Sequence, residues 1–103
     1  MPRKSTQERV LAAVDAIPVG RVTTYGGLGK RLKLTARQVA SVLSRLTRED
    51  ADSIPWHRVV GAGGVVSTLK LGVVGRRQVE RLEAEGHVVT ARGRITGFED
   101  ACL

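Results

Sequence analysis

The sequence predicts a mainly α domain with one small β-hairpin. Two observations carry this expectation: apolar residues recur at helical spacing in runs opened by Ser or Thr, and paired valines flank a glycine-rich tetrapeptide. Length favours a single domain over residues 1–103, because 103 residues cannot divide their apolar surface between two independent cores.

Each element has its own local cause. After the basic stretch Met1 to Lys4, Ser5-Thr6-Gln7-Glu8 offers a capping box. A helix follows with Val10, Ala13, Val14 and Ile17 on one face, stopped by Pro18 and Gly20. Thr23 or Thr24 caps a second, short helix carrying Tyr25, Leu28 and Leu32, whose glycines 26, 27 and 29 lower its intrinsic stability and make it depend on tertiary contacts. Thr35-Ala36-Arg37-Gln38 is a further capping box, opening a third helix with Val39, Val42, Leu43 and Leu46 on one side. The second and third helices, joined by a tight turn, with Arg37, Gln38, Ser41, Ser44 and Arg45 on the polar face of the third, describe a helix-turn-helix.

Beyond it, the polar stretch Thr47 to Ser53 reads as a loop, and Pro55 forbids a helix from continuing into Trp56-His57-Arg58. Val59-Val60 and Val65-Val66 around Gly61-Ala62-Gly63-Gly64 read as the hairpin. Ser67 to Gly75 reads as a loop, and a helix from about Arg76 to Glu85 turns Val79 and Leu82 inward and closes at Gly86. A weaker hairpin is expected from Val88–Thr90 and Arg94–Thr96 around Gly93.

Composition narrows the function. Lys plus Arg number 17 against 10 Asp plus Glu, a formal charge of +7 that suits a polyanionic partner, nucleic acid first among them, though a basic surface also serves solubility. No stretch is long and apolar enough to cross a bilayer and no signal-peptide pattern opens the chain, so a soluble, cytoplasmic protein without membrane contact is expected. Cys102 is the only cysteine, which excludes an intramolecular disulfide and a thiolate cluster. His57 and His87 alone make a poor zinc site, and neither a metal nor a cofactor is expected.

Ile54-Pro55-Trp56-His57-Arg58-Val59-Val60 resembles the Pro-Cys-His-Arg-Val motif of O6-alkylguanine-DNA alkyltransferases, with Trp56 at the cysteine position. The resemblance continues in Ile17-Pro18-Val19-Gly20-Arg21-Val22-Thr23-Thr24-Tyr25-Gly26, in Ala36-Arg37-Gln38-Val39 and in Leu82-Glu83-Ala84-Glu85-Gly86, covering roughly residues 6 to 90. With tryptophan at the acceptor position the chain is similar to the alkyltransferase-like proteins. The resemblance implies the winged helix-turn-helix-like fold of the alkyltransferase C-terminal domain.

It also implies roles. Alkyl transfer needs a thiolate nucleophile, and indole nitrogen is neither basic nor nucleophilic, so Trp56 cannot replace it and no enzyme activity is expected. The transferase relay of cysteine, histidine and glutamate falls on Trp56, His57 and Glu85, which leaves a remnant without a nucleophile. Arg37 would be the finger that fills the space of an everted nucleotide, and Tyr25 would help rotate the adjoining phosphate. Trp56, Val59, Ser67, Leu71 and Gly72 would form the alkylguanine pocket, and Thr24, Lys30, Gln38, Ser41 and Arg45 would contact the DNA backbone. The Asn-Pro that transferases often carry before the motif is absent around Thr47-Arg48-Glu49.

The reading is therefore a monomeric sensor that binds duplex DNA, flips O6-alkylguanine into a pocket and marks it for nucleotide excision repair proteins. Its rival is a sequence-specific helix-turn-helix regulator indifferent to damage. A third reading, an enzyme working through Cys102 or as a base hydrolase through His57 and Glu85, lacks any activating neighbour for Cys102 in the sequence.

Overall fold

Ser5 opens the chain's first helix as its spacing predicts. In the computed structural model, which describes residues 5–68 and 72–103, α1 spans Thr6–Asp15. Ser5 Oγ accepts the Glu8 amide at 3.1 Å, and the Glu8 carboxylate accepts from the Ser5 hydroxyl at 3.2 Å. Val10, Val14 and Ile17 are buried from this segment with Leu28, Val39 and Val59, forming a first core cluster.

After β1 (Thr23–Thr24), Thr24 caps α2 (Tyr25–Leu32), its hydroxyl accepting from the Gly27 amide at 2.8 Å. Lys33 ends α2 in the left-handed conformation, at φ 59°. Gly29 explains a weakness in this helix: a Cβ there would lie 2.6 Å from the Leu34 carbonyl oxygen, so only glycine lets α2 pass this close to the turn leading into α3. α3 (Ala36–Ser44) carries the full capping box, with Thr35 Oγ1 accepting the Gln38 amide at 3.1 Å and Gln38 Oε1 accepting the Thr35 amide at 2.8 Å. α2 and α3 pack together as the expected helix-turn-helix.

The stretch read as a loop from Thr47 to Ser53 is instead a helix, α4 (Arg48–Ser53). Thr47 caps it by accepting the Asp50 amide at 3.1 Å, and Glu49 and Asp50 in the first turn suit the positive end of the helix dipole. None of its residues is fully buried, so no apolar period betrays it in the sequence.

A 3₁₀ turn over Trp56–Arg58 leads into β2 (Val59–Val60). The small sheet is present, but its strands are not the expected hairpin. β2 pairs in parallel with β1, Thr23 opposite Val59 and Thr24 opposite Val60, while Gly61 and Val65 form only an isolated bridge. A parallel pair needs a long crossover in place of a tight turn, and here the crossover is α2 to α4, which no local glycine signal announces. Neighbouring strand residues point to opposite faces, so Val59 enters the first core cluster and Val60 a second, made with Val22, Val66, Leu82 and Ile95.

α5 (Val73–Ala84) starts earlier than the expected Arg76, absorbing the end of the expected loop from Ser67 to Gly75. Leu82 is buried, Val79 packs beside it, and Gly86 closes the helix at φ 94°. The weaker hairpin forms around Gly93, with Thr90 N to Arg94 O at 2.9 Å and Thr96 N to Val88 O at 2.8 Å. An unanticipated turn of helix, α6 (Phe98–Ala101), packs Phe98 onto Gly64 and carries the chain end back to Val22, whose carbonyl accepts the Leu103 amide at 2.9 Å. No helix among the described residues is long and apolar enough to cross a membrane, and no group of His, Cys, Asp and Glu among them could hold a metal ion.

Candidate nucleic-acid interface

Pro55 starts the arrangement. Its ring prevents α4 from running on, and the 3₁₀ turn that follows, with the Arg58 amide donating to the Pro55 carbonyl at 3.1 Å, sends Trp56 and His57 to different sides. The two rings meet edge-on, at 87° and 6.5 Å between centroids.

Trp56 is half-buried and forms one wall of an open cleft of about 560 Å3, within the size range of small-ligand pockets. Tyr25 from α2, Ala40 and Ser44 from α3, Ser67, and Val74 and Arg77 from α5 contribute to the other walls. The indole is fixed from behind. Its Nε1 donates to the Ala51 carbonyl at 3.0 Å, and Arg81 Nη1 donates to the same oxygen at 3.1 Å while its guanidinium lies 5.6 Å from the indole centroid. A cation over an indole face is attracted by the ring quadrupole, so α4 and α5 hold the plane of the ring between them.

His57 faces the opposite way and is 6 % exposed. Its Nε2 lies 2.8 Å from Glu85 Oε2, and Arg58 grips the same carboxylate with Nη2 at 2.7 Å and Nε at 3.0 Å. Arg58 Nη1 also donates to the Ile17 carbonyl at 2.6 Å, and buried Gln78 donates to the carbonyls of His57 and Val59 at 3.1 and 3.0 Å. Burial pushes the Glu85 carboxyl upward, but hydrogen bonds from Arg58 and His57 outweigh it and hold the pKa down at about 2. Burial lowers the His57 pKa, against the opposing pull of Glu85, so the neutral ring is favoured. With neutral imidazole donating through Nε2, Nδ1 is left as an acceptor, buried and without a partner among the described residues. The pair could orient a base, but the residue beside it is an indole with no proton worth removing.

Of the residues assigned from sequence, the fold brings Tyr25, Trp56 and Ser67 to one cleft and His57 and Glu85 into contact. The Val59 side chain does not line the cleft: it is 0 % exposed inside the first core cluster. Gly72 precedes α5 and is exposed, but it does not line the cleft, because the helix begins before the expected loop has ended. Leu71 lies outside the described residues.

Arg37 is exposed in the first turn of α3, on the face that Ala40, Ser41 and Ser44 continue at helical spacing, which sets it about one turn from the cleft wall. Lys30 and Arg45 are exposed at the ends of α2 and α3, and Ser41 is half-buried between them in sequence. Thr24 and Gln38 already serve as helix caps through their side-chain oxygens. Sequence reasoning passed over Arg58, Arg81, Ala51, Gln78 and Arg77. Arg58 sat inside the motif and Arg81 one turn before Glu85, so both carried a signal, whereas Ala51 belongs to a helix with none.

Comparison with known proteins agrees with this geometry. The family described as 6-O-methylguanine DNA methyltransferase, DNA binding domain, matches residues 5–87. A DNA base-flipping protein of Escherichia coli (strain K12) is 43 % identical over 93 residues, covering 88 % of this chain and 69 % of that protein. Alkyltransferase-like protein 1 of Schizosaccharomyces pombe is 38 % identical over 80 residues, covering 76 % of this chain and 72 % of that protein. The crystal structure of S. pombe Atl1 in complex with damaged DNA containing O6-carboxymethylguanine superposes with a TM-score of 0.81 at 30 % identity, covering 100 % of this chain and 98 % of that one. By sequence and by fold alike, the chain belongs to the 6-O-methylguanine DNA methyltransferase family through its DNA-binding domain, and carries Trp56 where the motif would place the acceptor cysteine.

Proposed function

We propose that this protein is a non-enzymatic sensor of alkylated DNA: it binds the duplex, everts an O6-alkylguanine into the cleft beside Trp56, and leaves the alkyl group in place. The observation that carries this reading is the clamped indole, a flat apolar wall at the position from which a thiolate would attack. Stacking a base on such a ring contributes about 1–3 kcal/mol, and alkylation lowers the cost of unpairing the guanine, so damage itself favours eversion. Relatives named for base flipping, and a neighbour crystallised on damaged DNA, support it.

Arg37 enters the stack in place of the lost nucleotide, and Tyr25, at the cleft rim on α2, turns the phosphate next to it. Lys30 and Arg45, with Thr24, Gln38 and Ser41, lie along the DNA backbone. Ser67 contributes to the cleft wall that meets the alkyl group. A complex that bends the duplex and persists on the lesion marks it for nucleotide excision repair proteins, the protein acting as a cytoplasmic monomer.

Affinity measured on duplexes bearing guanine or O6-methylguanine at one position tests the proposal. The sensor binds the methylated duplex more tightly in every sequence context. Equal affinity for both, with strong dependence on context, would instead establish the regulator. Because the footprint is on phosphates, log K is expected to fall with log salt at a slope of about 0.9 per contact. A labelled methyl group transferred to the protein, or a released base, would overturn the non-enzymatic assignment.

A further inference from the structure

The cleft beside Trp56 is walled mainly by apolar groups and neutral hydroxyls, among them Tyr25, Leu43, Ser44 and Ser67. Arg77 is the exception: among the described residues it is the ionised side chain that lines the cleft. It follows Val74 at the i+3 position on α5, and both face the same opening. Among the described residues no carboxylate pairs with it: the ion pairs there belong to His57, Arg58 and Arg81. Glu80 stands three residues on along α5 but is exposed and makes no ion pair with Arg77 among the described residues. The first turn of α5 carries no acid, and the next basic residue on that face, Arg81, is turned to the back of the indole.

We propose that Arg77 makes this cleft selective for O6 substituents that carry a negative charge, carboxyalkyl groups above all, over neutral groups of equal size; the inference rests on the base-eversion reading and specifies its ligand. Arg77 is solvent-exposed, so beside a neutral substituent its guanidinium stays hydrated, whereas an anionic substituent brings it a partner across the cleft mouth. A carboxylate on a one-carbon tether supplies two acceptor oxygens in the plane that a guanidinium fork matches. Discrimination therefore comes from the pair gained with the anionic adduct and absent with the neutral one. A lysine there would keep the charge and lose the fork.

The test uses the full chain and duplexes carrying O6-carboxymethylguanine, its neutral isostere O6-carbamoylmethylguanine, or guanine at one position. The wild-type protein is expected to bind the carboxymethyl duplex about threefold more tightly than the carbamoylmethyl duplex, the scale of one solvent-exposed charged pair. Arg77→Gln should erase that ratio while leaving the other two affinities within about twofold, and Arg77→Lys should retain part of it. A wild-type ratio near one overturns the proposal. So does an Arg77→Gln protein that weakens on all three duplexes together, the signature of a phosphate contact or a damaged fold. Failure of both adduct duplexes to bind better than the guanine duplex would strike down base eversion itself, a result distinct from the loss of selectivity between two bound adducts.

Discussion

Trp56 and His57 are consecutive residues in very different surroundings. Trp56 looks onto an open cleft, and among the described residues its indole is held by a hydrogen bond to Ala51 and by the Arg81 guanidinium over its ring. His57 is enclosed in a network that joins β2, α5 and the end of α1 through Glu85, Arg58 and the Ile17 carbonyl. The contrast teaches which side of the turn the fold itself depends on. The Glu85 carboxylate is held mainly by Arg58, and that pair ties α5 to the turn whatever residue stands at position 56. Chemistry on the open side is replaceable, whereas the enclosed side is part of the fold.

Breaking the enclosed side should give the largest effect. Glu85→Ala strands the Arg58 guanidinium at 12 % side-chain exposure and is expected to destabilise the protein by about 3–5 kcal/mol in denaturant unfolding. A change below about 0.5 kcal/mol, the level of an ordinary surface substitution, would show that the network is incidental. The same network sets the response to acid. Glu85 has a folded pKa of about 2 against a reference of 4.5, so its contribution is full above 4.5 and is lost as pH falls from there toward 2. His57 has a lowered folded pKa, so stability that it provides above 6.5 declines as pH drops below that value. Unfolding midpoints across this range should therefore fall in two stages on acidification, and a midpoint that rose between pH 7 and 5 would contradict the assignment.

Changes on the open side should cost less stability than Glu85→Ala and reach binding. Trp56→Ala is expected to weaken binding to an O6-methylguanine duplex by about 1–3 kcal/mol, with a smaller loss on undamaged duplex. Equal losses on the two would remove the indole from base recognition. Arg37→Ala should lower affinity for the damaged duplex about tenfold, a change of about 1.4 kcal/mol, and leave single-strand binding nearly unaltered. Parallel losses on duplex and single strand would make Arg37 a phosphate contact.

How legible each region was follows from the range of the interactions that form it. The caps at Ser5, Thr24 and Thr35 and the stop at Gly86 are contacts within a few residues, and the structure has them where the sequence predicts. α4 escaped notice because it buries no residue fully, and α6 because it is only Phe98–Ala101 long. The motif around Trp56 pointed to the cleft, but not to where the Val59 side chain lies: in so short a strand both valines are buried, one in each core cluster, and apolar character alone does not say which face a side chain takes.

By itself the sequence determined the local frame: which segments begin and end as helices, a basic helix-turn-helix, and an indole in a motif that otherwise frames a thiol. Hydrogen bonds and steric limits between near neighbours are enough to dictate these. Only the tertiary structure decided that β2 pairs with β1 and not with the valines just after it, that Ala51 and Arg81 brace the indole, and that Arg77 reaches the cleft. Those outcomes depend on which distant surfaces bury each other best, a competition that involves the whole chain at once and leaves no mark on any short stretch of it.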